Sequence, residues 1–403
     1  MTERGPRRLF GVDLQVFLLG IVSFLTDVSS EMIFAVFAVF VTAVLGASAV
    51  VLGLMEGLSD FAASSLDFVS GLLSDKAGKR KPFAVAGYSF SAAAKAFLLI
   101  ATTVTHAFLF RVLERLGKSF RGPPRDALLA ATAKKDVRGL AFGIHQALDR
   151  AGAIVGPLIA YALLSAFGDS AAAFKTLFLV AVIPALLAVL ALAFFVKEQP
   201  FEPRRRFDRA TFKALLNPEY RQYLRAALVF SLGYFSFSFL LLKAYLVGYA
   251  IKDVALLYAL FNLVLTLAAI PVGRLSDRLG RRFVIAASYV IYAAMLVGMI
   301  VLDSKAGVLA MLLVYGVFLA IDEGQTRAYL ADLSSPDTRA TAIGVFNFAT
   351  GLVYLPASVI AGLLWSAAGP SYAFGFAALI AFVALLLFFV GRPFKAKLKN
   401  AAP

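Results

Sequence analysis

"GRLSDRLGRR", residues 273–282, and "GLLSDKAGKR", residues 71–80, are two versions of one phrase. In each, a glycine is followed two residues later by leucine. Aspartate comes two after that, a second glycine three further on, and a basic cluster closes the stretch. The two lie 273 − 71 = 202 residues apart in a chain of 403. A charged turn written twice, half a chain apart and each time between long apolar runs, signals an internal duplication.

The runs around the turn fix what is duplicated. The chain is 61% hydrophobic and only 16% charged, with a mean hydropathy of +0.84. A water-soluble domain has too little interior for that much apolar side chain. Apolar runs of about 18 residues or more recur along the whole length, so the solvent is a bilayer. About twelve spanning segments are predicted: 14–44, 48–72, 83–104, 107–131, 139–166 and 171–196, then 222–249, 253–273, 283–302, 306–331, 340–367 and 371–391. They are helices, since no alternating polar–apolar strands occur and lipid leaves no backbone group unpaired. Met1 to Phe10 is polar and basic, and the run after it exceeds the apolar centre of a signal peptide, so it is expected to be retained as the first span.

Lysine and arginine set the orientation. One set of connections carries Arg4, Arg7 and Arg8; Lys76, Lys79, Arg80 and Lys81; Lys134, Lys135 and Arg138; Arg204, Arg205, Arg206 and Arg209; Arg278, Arg281 and Arg282; and Lys395, Lys397 and Lys399. The opposite set ("LGASA", "TTVTH", "FGDSA", "DSKAG", "AAGP") is almost bare. The rich side is expected to be cytoplasmic, with both termini on it. The polar stretch 196–220, "VKEQPFEPRRRFDRATFKALLNPEY", interrupts the apolar pattern. It divides the chain into a six-helix half over 1–196, a cytoplasmic linker over 197–220 and a second six-helix half over 221–403. The doubled turn joins the second and third segment of each half. A weaker echo, "RDALLAATAKKDVRGLAFG" (125–143) against "RAYLADLSSPDTRATAIG" (327–344), agrees.

Several function classes drop out. The net charge of +15 and a sequence pI of about 9.9 would suggest nucleic acid in a soluble protein, but here they serve orientation and anionic headgroups. No cysteine and two histidines leave no thiolate metal site and little for a catalytic metal, so neither metal nor cofactor is expected. "LGKSF" (116–120) contains Gly-Lys-Ser but lacks the upstream glycine and strand of a phosphate loop. No enzyme is expected, and a channel fits a two-fold repeat with midplane charges less well than alternating access does.

These residues resemble the major facilitator superfamily over essentially the whole chain. That family's signature, Gly-x-Leu-x-Asp-x-x-Gly-x-basic, stands here as Gly71, Leu73, Asp75, Gly78 and Arg80, and again as Gly273, Leu275, Asp277, Gly280 and Arg282. The resemblance implies an all-α membrane protein with about twelve transmembrane helices in two pseudo-symmetric six-helix bundles. It also implies transport of a small molecule, usually by a monomer, in the plasma membrane (the inner membrane in a bacterium). The glycines permit a sharp turn and close helix ends. The aspartates can accept charge-assisted hydrogen bonds from neighbouring arginines or a helix N-terminus. Such a latch would close the cytoplasmic side. The competing reading makes the basic residues topology markers only.

The fifth segment, "GIHQALDRAGAIVGPLIA", places Gly143, Gly152, Gly156 and Pro157 in the spacing of the family's antiporter motif, which marks its proton-driven efflux branches. Leu158, Ile159 and Ala160 replace the glycine pair that continues that motif. Gly152 and Gly156 share one helical face where a neighbouring helix can pack closely, and Pro157 can kink the helix.

Charges inside spans cost at least about 2.5–3.5 kcal/mol each on insertion scales. The first half holds Asp27 and Glu31 one turn apart, Glu56, Asp60 and Asp67, Lys95, then Arg111, Glu114, Arg115, Lys118, Arg121, Arg125 and Asp126, then His145, Asp149 and Arg150. The second half is sparser, with Lys243, Asp322, Glu323 and Arg327. The asymmetry assigns proton coupling to the first half. A carboxylate moved between a desolvated setting and an arginine takes up and releases a proton. Asp27 and Glu31 are the leading candidates, with Arg111 or Arg115 as partners and Asp149 beside them. The family's helix-four Arg-x-x-Gln-Gly stands here as Arg111-Val-Leu-Glu114-Arg115, so which arginine takes that role stays open. "GPP" at 122–124 predicts a break, and Glu323 and Arg327, one turn apart, can pair. Substrate-binding candidates are Glu56, Asp60, Lys95, Tyr234, Phe235, Lys243 and Glu323. The seventh segment sets Lys243 near a run of aromatics able to stack a planar or amphipathic substrate. Proton-coupled export of small organic molecules is the first expectation. Proton-coupled import of an anionic metabolite is the second, and a non-transporting sensor the third.

Overall fold

The computed structural model describes residues 8–9, 12–133, 137–199, 217–334 and 338–389, without the side chains of 68, 71, 72, 75, 76 and 340. Thirteen α-helices carry these residues: α1 Leu14–Val39, α2 Ala49–Ala77, α3 Lys81–Leu98, α4 Val104–Thr132, α5 Arg138–Phe167, α6 Ala171–Phe195, α7 Pro218–Leu232, α8 Ser238–Leu246, α9 Ile251–Leu279, α10 Arg281–Val301, α11 Lys305–Asp332, α12 Arg339–Ala368 and α13 Pro370–Phe389. Two residues also pair with two as short strands, Arg8–Leu9 (β1) with Val12–Asp13 (β2). Nine helical stretches of the described residues are long and apolar enough to cross a membrane. Exposed apolar side chains such as Leu179, Ile183, Leu186 and Leu190 of α6 form the surface that faces lipid.

Two predicted features need correction. The seventh segment, read as one span over 222–249, is two helices, α7 and α8, separated by Gly233-Tyr-Phe-Ser-Phe237. The freed backbone is held tertiarily: the Tyr292 hydroxyl donates to the Gly233 carbonyl at 2.9 Å. A Cβ at Gly233 would stand 2.9 Å from the Ala377 carbonyl oxygen, so that site tolerates only glycine without movement. With α7 and α8 in the place of the seventh predicted segment, the thirteen helices follow the twelve predicted segments in order. Conversely, α4 does not break at Gly122-Pro123-Pro124 but runs through both prolines. Pro123 cannot donate to the Ser119 carbonyl, and the Ser70 hydroxyl of α2 supplies that bond at 3.3 Å.

The duplication extends into backbone geometry. The glycines with positive φ among the described residues are Gly46, Gly78, Gly168, Gly248, Gly280 and Gly369. They fall into three pairs at 248 − 46 = 202, 280 − 78 = 202 and 369 − 168 = 201 residues. Each pair marks the same turn in the two halves.

The chain forms two compact units: one of Met1–Ala47, Leu58–Arg205 and Ala250–Ala259, the other of Ser48–Gly57, Arg206–Tyr249 and Leu260–Pro403. In the first, α1 packs on α5 and α6, and α3 on α4 and α6. In the second, α10 packs on α11 and α13, and α13 on α7 and α12. The start of α2 thus belongs to the second unit and the start of α9 to the first. Most of the predicted linker, 200–216, lies outside the described residues.

Candidate transport site

The first unit's polar interior is built on α4. Its charges at 111, 114/115, 118, 121 and 125 recur every three or four residues and share one face. That face points inward: Arg111, Glu114 and Arg121 are only 5%, 4% and 2% exposed. A charged helix crosses lipid here because its apolar face, not its charged one, meets the tails.

Each inward charge meets a defined neighbour. Glu114 Oε1 accepts from the Ser30 hydroxyl of α1 at 3.1 Å, and its Oε2 is 3.7 Å from Arg111 Nη1. Arg111 also lies over the Phe34 ring, 4.8 Å from its centroid. Arg115 pairs with Asp60 of α2 at 3.0 Å. Glu31 takes the Tyr258 hydroxyl at 2.6 Å and Lys118 Nζ at 3.8 Å. Arg125 donates to the Ser23 hydroxyl at 3.1 Å, pairs with Asp126 at 2.9 Å and reaches Asp149 at 4.0 Å. Ser23 shares a 2.9 Å hydrogen bond with His145, which makes that histidine a buried, bonded one. Arg121 lies 4.3 Å over the Tyr88 ring.

Two candidates stand apart. Asp27 is buried on α1, and among the described residues it accepts no hydrogen bond and makes no ion pair; Lys118, Arg121, Arg125 and Asp149 surround it at longer range. Lys95 on α3 is fully buried, and its Nζ has no hydrogen-bond partner among the described residues. Sequence reasoning named Asp27, Glu31, Arg111, Arg115 and Asp149. It missed Tyr258 and Ser30, whose neutral side chains carry no sequence signal.

The α5 glycines set the distance between α5 and α1. A Cβ on Gly152 would lie 2.5 Å from the Phe24 carbonyl oxygen, and one on Gly156 2.6 Å from that of Val28. Gly143 has no atom within 4 Å of such a position, and Pro157 lies inside the helix. The motif's first glycine is therefore not a packing residue.

The doubled turn is partly described. The side chains of Gly71 and Asp75 lie outside the described residues. Asp277 is exposed and, among the described residues, has no hydrogen bond or ion pair; Gly273 faces open space. Gly78 and Gly280 close α2 and α9 at φ +65 and +88. Arg80 donates to the Ala127 carbonyl at 3.0 Å, and Arg281 to the Ala328 carbonyl at 2.7 Å. Arg281 also pairs with Asp332. Donor and acceptor shift together by 281 − 80 = 328 − 127 = 201 residues, so Arg281 makes the bond equivalent to that of Arg80. Arg282, the residue that lines up with Arg80 in sequence, instead lies over Phe388 and donates to its carbonyl at 3.2 Å.

In the second unit, Glu56 is fully buried and accepts from the hydroxyls of Ser236 at 3.2 Å and Ser238 at 3.1 Å, at the start of α8. Lys243 pairs with Asp303 at 2.7 Å. Phe235 is buried, edge-on to Phe239 with centroids 5.5 Å apart. Tyr234 and Glu323 are half-buried on α11's side of the aromatic cluster and on α11 itself.

Many membrane-length helices, a two-fold repeat and a charged interior sheltered by apolar outer faces are the features of a multi-pass membrane transporter. The family model described as Major Facilitator Superfamily matches residues 19–252 and 244–403, and the chain belongs to that superfamily. It is 35% identical over 382 residues (93% of this chain, 94% of the relative) to an uncharacterized MFS-type transporter, MJ1317, of Methanocaldococcus jannaschii. Over 120 residues, 30% of each chain, it is 35% identical to the multidrug resistance protein MdtH of Photorhabdus laumondii. Its fold matches that of a bacterial homologue of the human lysosomal transporter Spinster in an inward-facing, unoccupied conformation, with a TM-score of 0.75 at 15% identity, over 94% of this chain and 96% of that one.

Proposed function

We propose that the chain is a secondary active transporter that exports small organic molecules in exchange for protons, with the halves 1–196 and 221–403 as its alternating bodies. Asp27 carries the reading. A buried carboxylate with neither hydrogen bond nor ion pair among the described residues needs a proton or a mobile cation to complete it. Lys118, Arg121 and Arg125 lie near enough to compete with a proton when the site rearranges. Glu31, held by Tyr258 and Lys118, is the second carrier, with Asp149 near Asp27; Arg111 and Arg115, the expected partners, pair with Glu114 and Asp60. The glycine spacing of α5 and the likeness to MdtH over part of the chain favour export.

The protein sits as a monomer in the plasma membrane, the inner one in a bacterium, with both termini cytoplasmic. A single cysteine at Lys79, in a chain otherwise free of cysteine, is then labelled in spheroplasts only by a membrane-permeant thiol reagent. Import of an anionic metabolite with protons is the second reading, favoured by the buried Lys95, whose Nζ has no hydrogen-bond partner among the described residues.

The test uses proteoliposomes holding a pH-sensitive dye, an imposed proton gradient, and a panel of lipophilic cations, neutral drugs and organic anions. Export predicts that a compound entering the acidic lumen drives protons out, and that Asp27→Asn or Glu31→Gln abolishes this. Protons that move only together with an entering anion would replace export by import.

A further inference from the structure

The second unit holds an acid that neither the coupling site nor its ion pairs employ. Asp322 lies on α11, half-buried, and among the described residues no lysine or arginine is within ion-pair distance of it. One turn along, Thr326 bonds the Tyr223 hydroxyl at 2.8 Å and is the hydrogen-bonding neighbour of the Asp322 carboxylate. Around that carboxylate stands a wall of tyrosine rings. One turn before it on α11, the Phe318 ring lies 6.1 Å from Tyr234, 4.7 Å from Tyr292 and 5.4 Å from Tyr315. The Tyr315 hydroxyl donates to that of Tyr234 at 3.2 Å, and the Tyr234 ring lies 5.8 Å from Tyr292 and 5.5 Å from Tyr354. Tyr292 and Tyr315 are 2% and 3% exposed, whereas Asp322, Tyr234 and Tyr354 keep accessible surface. The accessible groups thus stand beside rings that are themselves buried.

The chemistry of that cluster selects by charge. A carboxylate inside a spanning helix needs a proton or a positive counterpart, and no lysine or arginine among the described residues supplies one. Ring faces carry negative quadrupoles that attract cations, most strongly where water is thin. An anion would meet both the carboxylate and the ring faces, with Glu323 adding a further negative charge nearby. A neutral solute would gain nothing from the carboxylate's charge. We infer that Asp322 with Tyr234, Tyr292, Tyr315 and Tyr354 forms a subsite for an organic cation, an ammonium or delocalised aromatic cation on an apolar body. This rests on the transporter reading and names its substrate class.

Tetraphenylphosphonium and tetraphenylborate share one shape and carry opposite charge, so they test the subsite directly. Binding to the full-length chain in lipid nanodiscs is measured by titration calorimetry, with empty nanodiscs subtracting partition into lipid. Saturable binding of the phosphonium and none of the borate is expected. Asp322→Asn should weaken phosphonium binding about tenfold or more, and Asp322→Glu should keep most of it. Tyr234→Leu and Tyr354→Leu should bind more weakly. Variants are compared only as monodisperse protein by size exclusion, and Asp322→Asn, nearly isosteric, anchors the comparison. Saturable binding without flux of any compound in proteoliposomes would retain the subsite and remove the transport reading. Flux of a neutral or anionic compound from a chain that does not bind the phosphonium would remove the subsite and leave transport standing. Equal binding of the two ions, or undiminished binding by Asp322→Asn, would overturn the inference.

Discussion

Replacing Gly156 by alanine puts one methyl group into the tightest part of the α1–α5 contact. The new Cβ would lie 2.6 Å from the Val28 carbonyl oxygen, 2.9 Å from the Met32 nitrogen and 3.2 Å from the Val28 carbonyl carbon. All three are backbone atoms, so no side-chain rotation relieves the clash. Ordinary contact begins near 3.4 Å, and the helices must separate by 3.4 − 2.6 = 0.8 Å at that point. Overpacking of this size costs about 1–3 kcal/mol, and close backbone approach is itself a main source of helix association in lipid. Gly152→Ala meets the Phe24 carbonyl oxygen at 2.5 Å one turn earlier and should cost about as much. Gly143 is the internal control: its substitution meets nothing within 4 Å and should change stability by less than about 0.5 kcal/mol. The assay is equilibrium unfolding of the purified variants in mixed micelles of increasing dodecyl sulfate, followed by circular dichroism. Matching losses for Gly143→Ala and Gly156→Ala, or none for Gly156→Ala, would refute the argument that backbone proximity makes these two positions glycine.

The same assay reaches two other sites. Glu114→Leu removes the carboxylate beside the buried Arg111 and the acceptor of Ser30, with an expected loss of about 3–5 kcal/mol; the double variant Arg111→Met/Glu114→Leu should lose clearly less than the sum of the singles, and strict additivity would show that the pair is not coupled. At Gly78 and Gly280, whose φ values are +65 and +88 with open space around them, alanine should cost only backbone strain of about 1–2 kcal/mol and asparagine less; equal losses for the two substitutions would place the cost outside the backbone.

Much of the architecture was legible because the bilayer forces it. A run such as 171–196 has no alternative to a helix in lipid, and α6 spans Ala171–Phe195. The doubled phrase at 71–80 and 273–282 exposed the repeat, and the paired positive-φ glycines are its backbone counterpart. Periodicity misled where local rules met tertiary partners. Gly-Pro-Pro at 122–124 reads as a break, yet Ser70 on another helix takes the carbonyl that Pro123 abandons. The seventh segment reads as continuous, yet a tyrosine on α10 and the packing of α13 hold it open at Gly233.

The sequence by itself determined that this chain lives in a membrane, that it crosses about twelve times in two related halves, and which residues carry charge within the spans. All of that depends on transfer free energies and loop composition, which are properties of each segment alone. Only the tertiary structure decided which charges meet: Glu31 with Tyr258 and Lys118, Arg115 with Asp60, Arg281 rather than Arg282 in the place of Arg80, and Asp27 and Asp322 with no ion pair among the described residues. Those pairings join residues far apart in sequence. They depend on the rotation of each helix about its axis and its depth beside its neighbours, and a hydropathy pattern constrains neither to within one side chain.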